Sequence, residues 1–132
     1  MRIAGRRPDL SAKDVPLKSQ TTFGKWQNID LRVARVISAN PAEGTRNPCR
    51  IIRLDLGPLG ERESVGQYAL IDESDLVGRN VVACVNLSVR EMGPYKSEAL
   101  VLGAPHPDSP EDQDQATPLY VSDVARPGDC IF

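Results

Sequence analysis

The chain is 132 residues long, 40% hydrophobic, with a formal charge of −2. That length suits one domain with a single core and excludes two. No apolar run approaches the roughly 20 residues of a membrane helix, and the opening MRIAGRRPDLSAKD lacks the apolar centre of a signal peptide; membrane insertion is excluded and a soluble, cytoplasmic protein is expected.

The small net charge hides a gradient. Residues 2–53 hold eleven lysines and arginines against four acids, whereas residues 108–132 hold six acids against Arg126 alone. A chain divided in this way can present a local positive face to an anion while its average stays acidic. Cys49, Cys84 and Cys130 are odd in number and widely spaced, with no Cys-x-x-Cys pair. They read as small hydrophobes in a reducing compartment, and neither a disulfide framework nor a metal site is expected.

In chain order, residues 1–22 mix Arg, Lys, Pro, Ser and Thr with few apolar anchors, the composition of a basic, flexible extension outside the folded domain of residues 23–132. Ile29, Leu31 and Val33 then alternate with Asp30, Arg32 and Ala34, the period of a half-buried strand. The phase slips at Val36-Ile37, which predicts a bulge that lets one long strand serve both halves of a small barrel. Residues 40–48 form a Pro- and Gly-containing loop, and a second strand follows with Ile52, Leu54 and Leu56 inward. A weaker strand spans Glu61–Tyr68. Residues 71–77 predict a short helix capped by Asp72 or Ser74 and stopped by Gly78. Val81–Val85 is apolar on both parities and reads as the most buried strand. A Gly93-Pro94 turn, a strand at Ala99–Leu102, a solvated acidic loop from Pro105 to Pro118 and a strand at Leu119–Val121 complete the chain before Ile131-Phe132. The pattern predicts an all-β fold: a five-stranded Greek-key barrel of the OB type with one short helix between its third and fourth strands.

The run Asp30-Leu31-Arg32-Val33-Ala34-Arg35-Val36 resembles the Asp-Leu-Arg-Val-Gly opening of the tRNA-binding-domain family, to which the CsaA secretion chaperones and the C-terminal modules of some methionyl-tRNA synthetases belong. In the same order come Arg46-Asn47-Pro48-Cys49-Arg50-Ile51, Leu54-Asp55-Leu56-Gly57-Pro58, Gln67 and Leu76-Val77-Gly78-Arg79. The most specific block is Val85-Asn86-Leu87-Ser88-Val89-Arg90-Glu91-Met92-Gly93-Pro94-Tyr95-Lys96-Ser97-Glu98-Ala99-Leu100-Val101-Leu102-Gly103, similar to the CsaA form of that segment. Residues 40–48 depart from the His-Pro-Asn-Ala-Asp-Lys-Leu stretch of the tRNA-binding branch, which favours the CsaA branch. Val65-Gly66 and Tyr68-Ala69 replace the CsaA residues on either side of Gln67.

The resemblance implies a non-catalytic homodimer that binds tRNA through a basic face or, in the alternative, an export-related chaperone that holds unfolded polypeptides or preproteins on the same surface. No cofactor is implied, and the absence of GxSxG, HExxH or phosphate-loop motifs argues against an enzyme. Asn86, Arg90, Lys96, Ser97 and Glu98 are the expected binding constellation, the Arg fork and Lys charge holding phosphate while the amide and hydroxyl read a base or a peptide. Structural roles for Asn86 and Ser97 in tying the loop remain the plainer reading. Arg32, Arg50 and Arg53 are candidates for an anion-facing surface, Gln67 and Tyr68 for the adjoining strand, and Tyr95 for base stacking. Tyr68, Met92 and Tyr95 would line an apolar groove for polypeptide. Phe23, Trp26, Ile131 and Phe132 are the candidates for the dimer joint.

Overall fold

A computed structural model of the chain describes Leu10 and residues 12–132; residues 1–9 and 11, most of the basic half of the expected extension, lie outside the described residues. Residues 12–22 are exposed throughout except for half-buried Val15. The first regular element is α1, Phe23–Gln27, whose N-cap Thr22 accepts a hydrogen bond from the Lys25 amide at 3.2 Å. The single α-helix among the described residues thus precedes the barrel. Where the sequence predicts a helix, Glu73–Asp75 makes only a 3₁₀ turn, and Asp72 gives it no side-chain cap. Gly78, at φ 83°, ends that segment as expected. No helix of the described residues is long and apolar enough to cross a membrane.

The barrel is built on β1 (Leu31–Ala42), β2 (Cys49–Asp55), β3 (Glu61–Gly66), β4 (Asn80–Cys84) and β7 (Leu100–Val101). The first half of β1 pairs with β4 and the second half with β2, with a register shift between Val36 and Ser38. Ile37 is the extra residue there, at the phase slip read from the sequence. β2 pairs with β3, and β4 with β7. The chain entering β7 closes the barrel on β3, the Glu98 amide donating to the Glu63 carbonyl at 2.8 Å. This is the order of an OB-type barrel. Its core holds Val36, Ile52, Leu54, Leu56, Leu76 and Val81, all at 2% exposure or less, each contributing on the order of 1.5–3 kcal/mol by burial.

Four further segments lie on this barrel. A hairpin, β5 (Arg90–Met92) and β6 (Tyr95–Ser97), turns at Gly93-Pro94. The pair β8 (Gly103–Pro105) and β9 (Ala116–Pro118) gives the expected acidic loop a two-stranded base. β10 (Tyr120–Val121) pairs with β4, and the C-terminal segment runs beside β1, Ile131 donating to the Leu31 carbonyl at 2.8 Å.

Candidate nucleic-acid interface

In an OB-type barrel, ligands meet the outer face of the second and third strands and the loops that join strands one to two and four to five. Here those loops are residues 43–48 and the segment carrying the β5–β6 hairpin. Register decides which side chains they offer. On β2 and β3 the facing pairs Ile52/Ser64 and Leu54/Arg62 point into the barrel, and Ile51/Val65 and Arg53/Glu63 point out. The hairpin folds down over the upper part of this outer face: Met92 and Tyr95 pack with Ile51 on buried Ala42, Cys49 and Val65. Burial pushes the Cys49 thiol pKa up.

The hairpin tip is also locked to the 43–48 loop. Gly93 sits at φ 58°, and a Cβ there would lie 2.3 Å from the Gly44 carbonyl oxygen, so only glycine allows the approach. The Tyr95 hydroxyl accepts from the Glu43 amide at 3.2 Å. Tyr95, the expected stacking platform, is therefore half-buried packing with its hydroxyl engaged.

The constellation expected at Asn86–Glu98 does not converge. Asn86 ties the β4–β5 loop to the segment before β1, accepting from the Asp30 amide at 3.0 Å and donating to the Asn28 carbonyl at 2.6 Å. Ser97 is buried; its hydroxyl accepts from the Val65 amide and donates to the Ala99 carbonyl, each at 3.0 Å. The Glu98 carboxylate accepts from the Glu63 amide at 3.0 Å. Arg90 pairs with Ser97 and Lys96 with Glu91 across the hairpin, which puts Arg90 and Lys96 on opposite faces. Both are exposed and make no hydrogen bond or ion pair among the described residues.

The arginines expected to line an anion-facing surface are engaged within the chain. Arg32 forms an ion pair with Asp30 at 2.6 Å and donates to the Gly128 carbonyl at 3.1 Å, and the Asp30 hydrogen bond raises its already high pKa. Arg50 lies on the inward parity at the end of β2, where it donates to the carbonyls of Tyr68, Ile71 and Ala39 at 2.8–3.2 Å. Such a guanidinium closes the end of a barrel and leaves little for phosphate. Arg53 pairs with Glu61 at 3.0 Å and Glu63 at 3.6 Å on the outer face. Tyr68 is 4% exposed, its hydroxyl donating to the Val101 carbonyl at 2.7 Å and its ring closed over Gly66 and Gly103. It belongs to the core, and Met92 and Tyr95 are packed down on the barrel, so among the described residues these three side chains serve as packing. Half-buried Gln67 ends the β3 edge, its carbonyl accepting from the Ala116 amide at 2.8 Å.

Exposed apolar surface lies elsewhere. Phe23 is 70% exposed, and Trp26, Ile29, Leu87, Val89 and Phe132 are exposed with it. The Asn86 bonds to Asn28 and Asp30 and the Ile131 bond to Leu31 bring their segments together around the start of β1. Ile131 itself is half-buried. One feature escaped the sequence reading altogether. Gln115, within the acidic run, is 2% exposed: its side chain accepts from the Ala69 amide and donates to the Pro48 carbonyl, both at 2.8 Å.

Barrel order and loop placement define a small OB-type binding domain. Residues 31–129 match the family model described as "Putative tRNA binding domain", and the chain belongs to that family. Methionine-tRNA ligase of Thiobacillus denitrificans is 34% identical over 102 residues, covering 76% of this chain and 15% of the ligase. That of Rhodopirellula baltica is 37% identical over 99 residues, covering 73% and 14%. The chain thus spans only a small part of these multidomain ligases. Among solved structures, chaperone CsaA of Bacillus anthracis superposes with a TM-score of 0.74 at 27% identity, over 86% of this chain and all of that one. CsaA of Picrophilus torridus, at 24% identity and a TM-score of 0.75, shares the fold over 86% of this chain and all of its own.

Proposed function

We propose that the chain is a non-catalytic tRNA-binding module that works as a homodimer in the cytoplasm. The observation that carries this reading is the family match across residues 31–129, which takes in the barrel, the 43–48 loop and the hairpin. The geometry favours the loop–hairpin junction as the place of contact. Arg90 and Lys96 are exposed there on either face of one hairpin, and exposed Arg46 sits on the loop the hairpin touches. Cations spread in this way suit contact with two stretches of phosphate backbone more than one convergent anion pocket. Gln67, half-buried just beyond β3, supplies an amide for reading a base.

The second copy would cover Phe23, Trp26 and Phe132, with Ile131 beneath them, because large apolar side chains clustered at this exposure are characteristic of an interface. Two barrels so joined offer two hairpins to one RNA. Trp26→Glu should turn the dimer into a monomer by light scattering; an unchanged mass would remove this joint.

Polypeptide binding is the second reading. The same apolar cluster around the start of β1 and the likeness to CsaA chaperones favour it. Titrating the protein with total tRNA and with an unfolded polypeptide at two salt concentrations separates the two. Phosphate contacts give an affinity that falls steeply with salt, whereas apolar capture changes little. tRNA binding that is salt-independent, or absent, would reverse the order of the readings.

A further inference from the structure

The folded part of the chain is acidic, which is the wrong sign for holding RNA. Residues 23–132 carry eleven Lys and Arg against sixteen Asp and Glu, a formal charge of −5, whereas residues 1–22 carry Arg2, Arg6, Arg7, Lys13 and Lys18 against Asp9 and Asp14. Most cations of the barrel are also engaged within it. Beyond Arg32, Arg50 and Arg53, Arg62 donates to the Val85 carbonyl at 2.9 Å, Arg35 donates to the Asn80 side chain at 3.2 Å, and Arg79 lies 3.9 Å over the Tyr120 ring. Binding a polyanion by counterion release takes several cations at the phosphates, more than the hairpin alone supplies.

The missing cations lie on the segment that enters the barrel beside the hairpin. Residues 12–22 form no strand or helix, and Lys13 and Lys18 are exposed. Leu10 is 49% exposed and Leu17 fully so, and neither leucine is seated in the core. The segment runs into α1, which bears exposed Lys25, and on to Asn28, whose carbonyl accepts from the Asn86 side chain at 2.6 Å. Asn86 stands four residues before Arg90. The root of the basic segment is thus bonded to the loop from which the hairpin rises. Arg2, Arg6 and Arg7 lie outside the described residues and enter by their charge alone.

We propose that residues 1–22 are a basic arm that binds the phosphate backbone of the same RNA that the hairpin contacts, supplying cations that the acidic barrel lacks. A basic arm works through charge and counterion release and needs no packed core of its own. The inference rests on the tRNA-binding reading and deepens it.

The test titrates the full chain and its variants with total tRNA at about 50 and 200 mM salt. In the arm variant Lys13→Gln, Lys18→Gln the affinity at the lower salt should fall about three- to ten-fold, and the salt slope should become shallower by about one. Adding Arg2→Gln, Arg6→Gln and Arg7→Gln should lower both further. The control is Arg126→Gln, an exposed cation next to Ala125, whose carbonyl bonds Asn80 at the opposite end of β4 from the Asn86 loop. Its affinity should change less than about two-fold at an unchanged slope. In the wild type, the amide resonances of residues 12–22 should shift together with those of residues 90–97 as tRNA is added. Arm variants that keep the wild-type slope would overturn the proposal, as would an equal loss per charge in Arg126→Gln, which would reduce the effect to net charge. So would arm resonances that stay in place while those of the hairpin move. If the wild type binds no tRNA, it is the tRNA-binding reading itself that fails, and the arm falls with it.

Discussion

The hairpin of residues 90–97 and the acidic segment of residues 106–115 are similar in length, rise from paired strands and dock on the same loop, yet they attach by different physics. The hairpin is held by apolar packing of Met92 and Tyr95 and by two glycines meeting without side chains between them. The acidic segment, based on the β8–β9 pair and the Ala116–Gln67 backbone bond, is held to the barrel by the buried side-chain amide of Gln115. Apolar attachment leaves the charged groups of the hairpin pointing to solvent. Attachment by an amide lets a run too acidic to pack lie against the barrel, because Gln115 satisfies the Ala69 amide and the Pro48 carbonyl at once.

The largest disturbance of this balance should come from the hairpin tip. Gly93→Ala puts a Cβ into the Gly44 carbonyl at a positive φ, and should cost at least about 2 kcal/mol, read as a fall in the denaturation midpoint with loss of tRNA binding. Gln115→Leu removes the partner of the half-buried Ala69 N–H and of the Pro48 C=O and should cost about 1 kcal/mol, and hydrogen exchange should quicken at Ala69 while the hairpin stays protected. Exchange that quickens in both segments would mean that they are one cooperative unit. Arg90→Ala and Lys96→Ala should leave stability within about 0.5 kcal/mol, since neither side chain is bonded among the described residues, while each lowers the salt slope of tRNA binding by about one. Smallest is the effect of the thiols. Cys130 is exposed, Cys49 and Cys84 are buried, so the native chain should alkylate at Cys130 alone. The raised Cys49 pKa favours the protonated thiol in the fold, so its contribution is complete below the ordinary thiol value of about 8.5 and declines above it; a stability profile flat from pH 8 to 10 would contradict that.

Much of the barrel was legible because its signals are local. Alternation marked β1 and β2, and the consecutive Val36-Ile37 marked the bulge, since a period of two cannot slip without an extra residue. Arg50 was misread for the same reason. The periodicity places it on the inward face, but only the end of the barrel, with three carbonyls converging from Ala39, Tyr68 and Ile71, explains why a cation belongs there. Nearness in sequence misled at residues 86–98: residues gathered in one block are divided by hairpin register between two faces and the core. Gln115 gave no local sign, its partners lying 46 and 67 residues away. The acidic run around it reads as solvent-exposed loop until those partners are known.

The exposed cations of the hairpin are the groups on which tRNA binding should depend most, and a single titration addresses them. Total tRNA is titrated into the wild-type chain and into Arg90→Ala, Lys96→Ala at about 50 and 200 mM salt. The wild-type affinity should fall steeply between the two conditions, and the double variant should bind more weakly with a slope shallower by about two. Identical curves for the two proteins, or an affinity indifferent to salt, would contradict phosphate contact by Arg90 and Lys96.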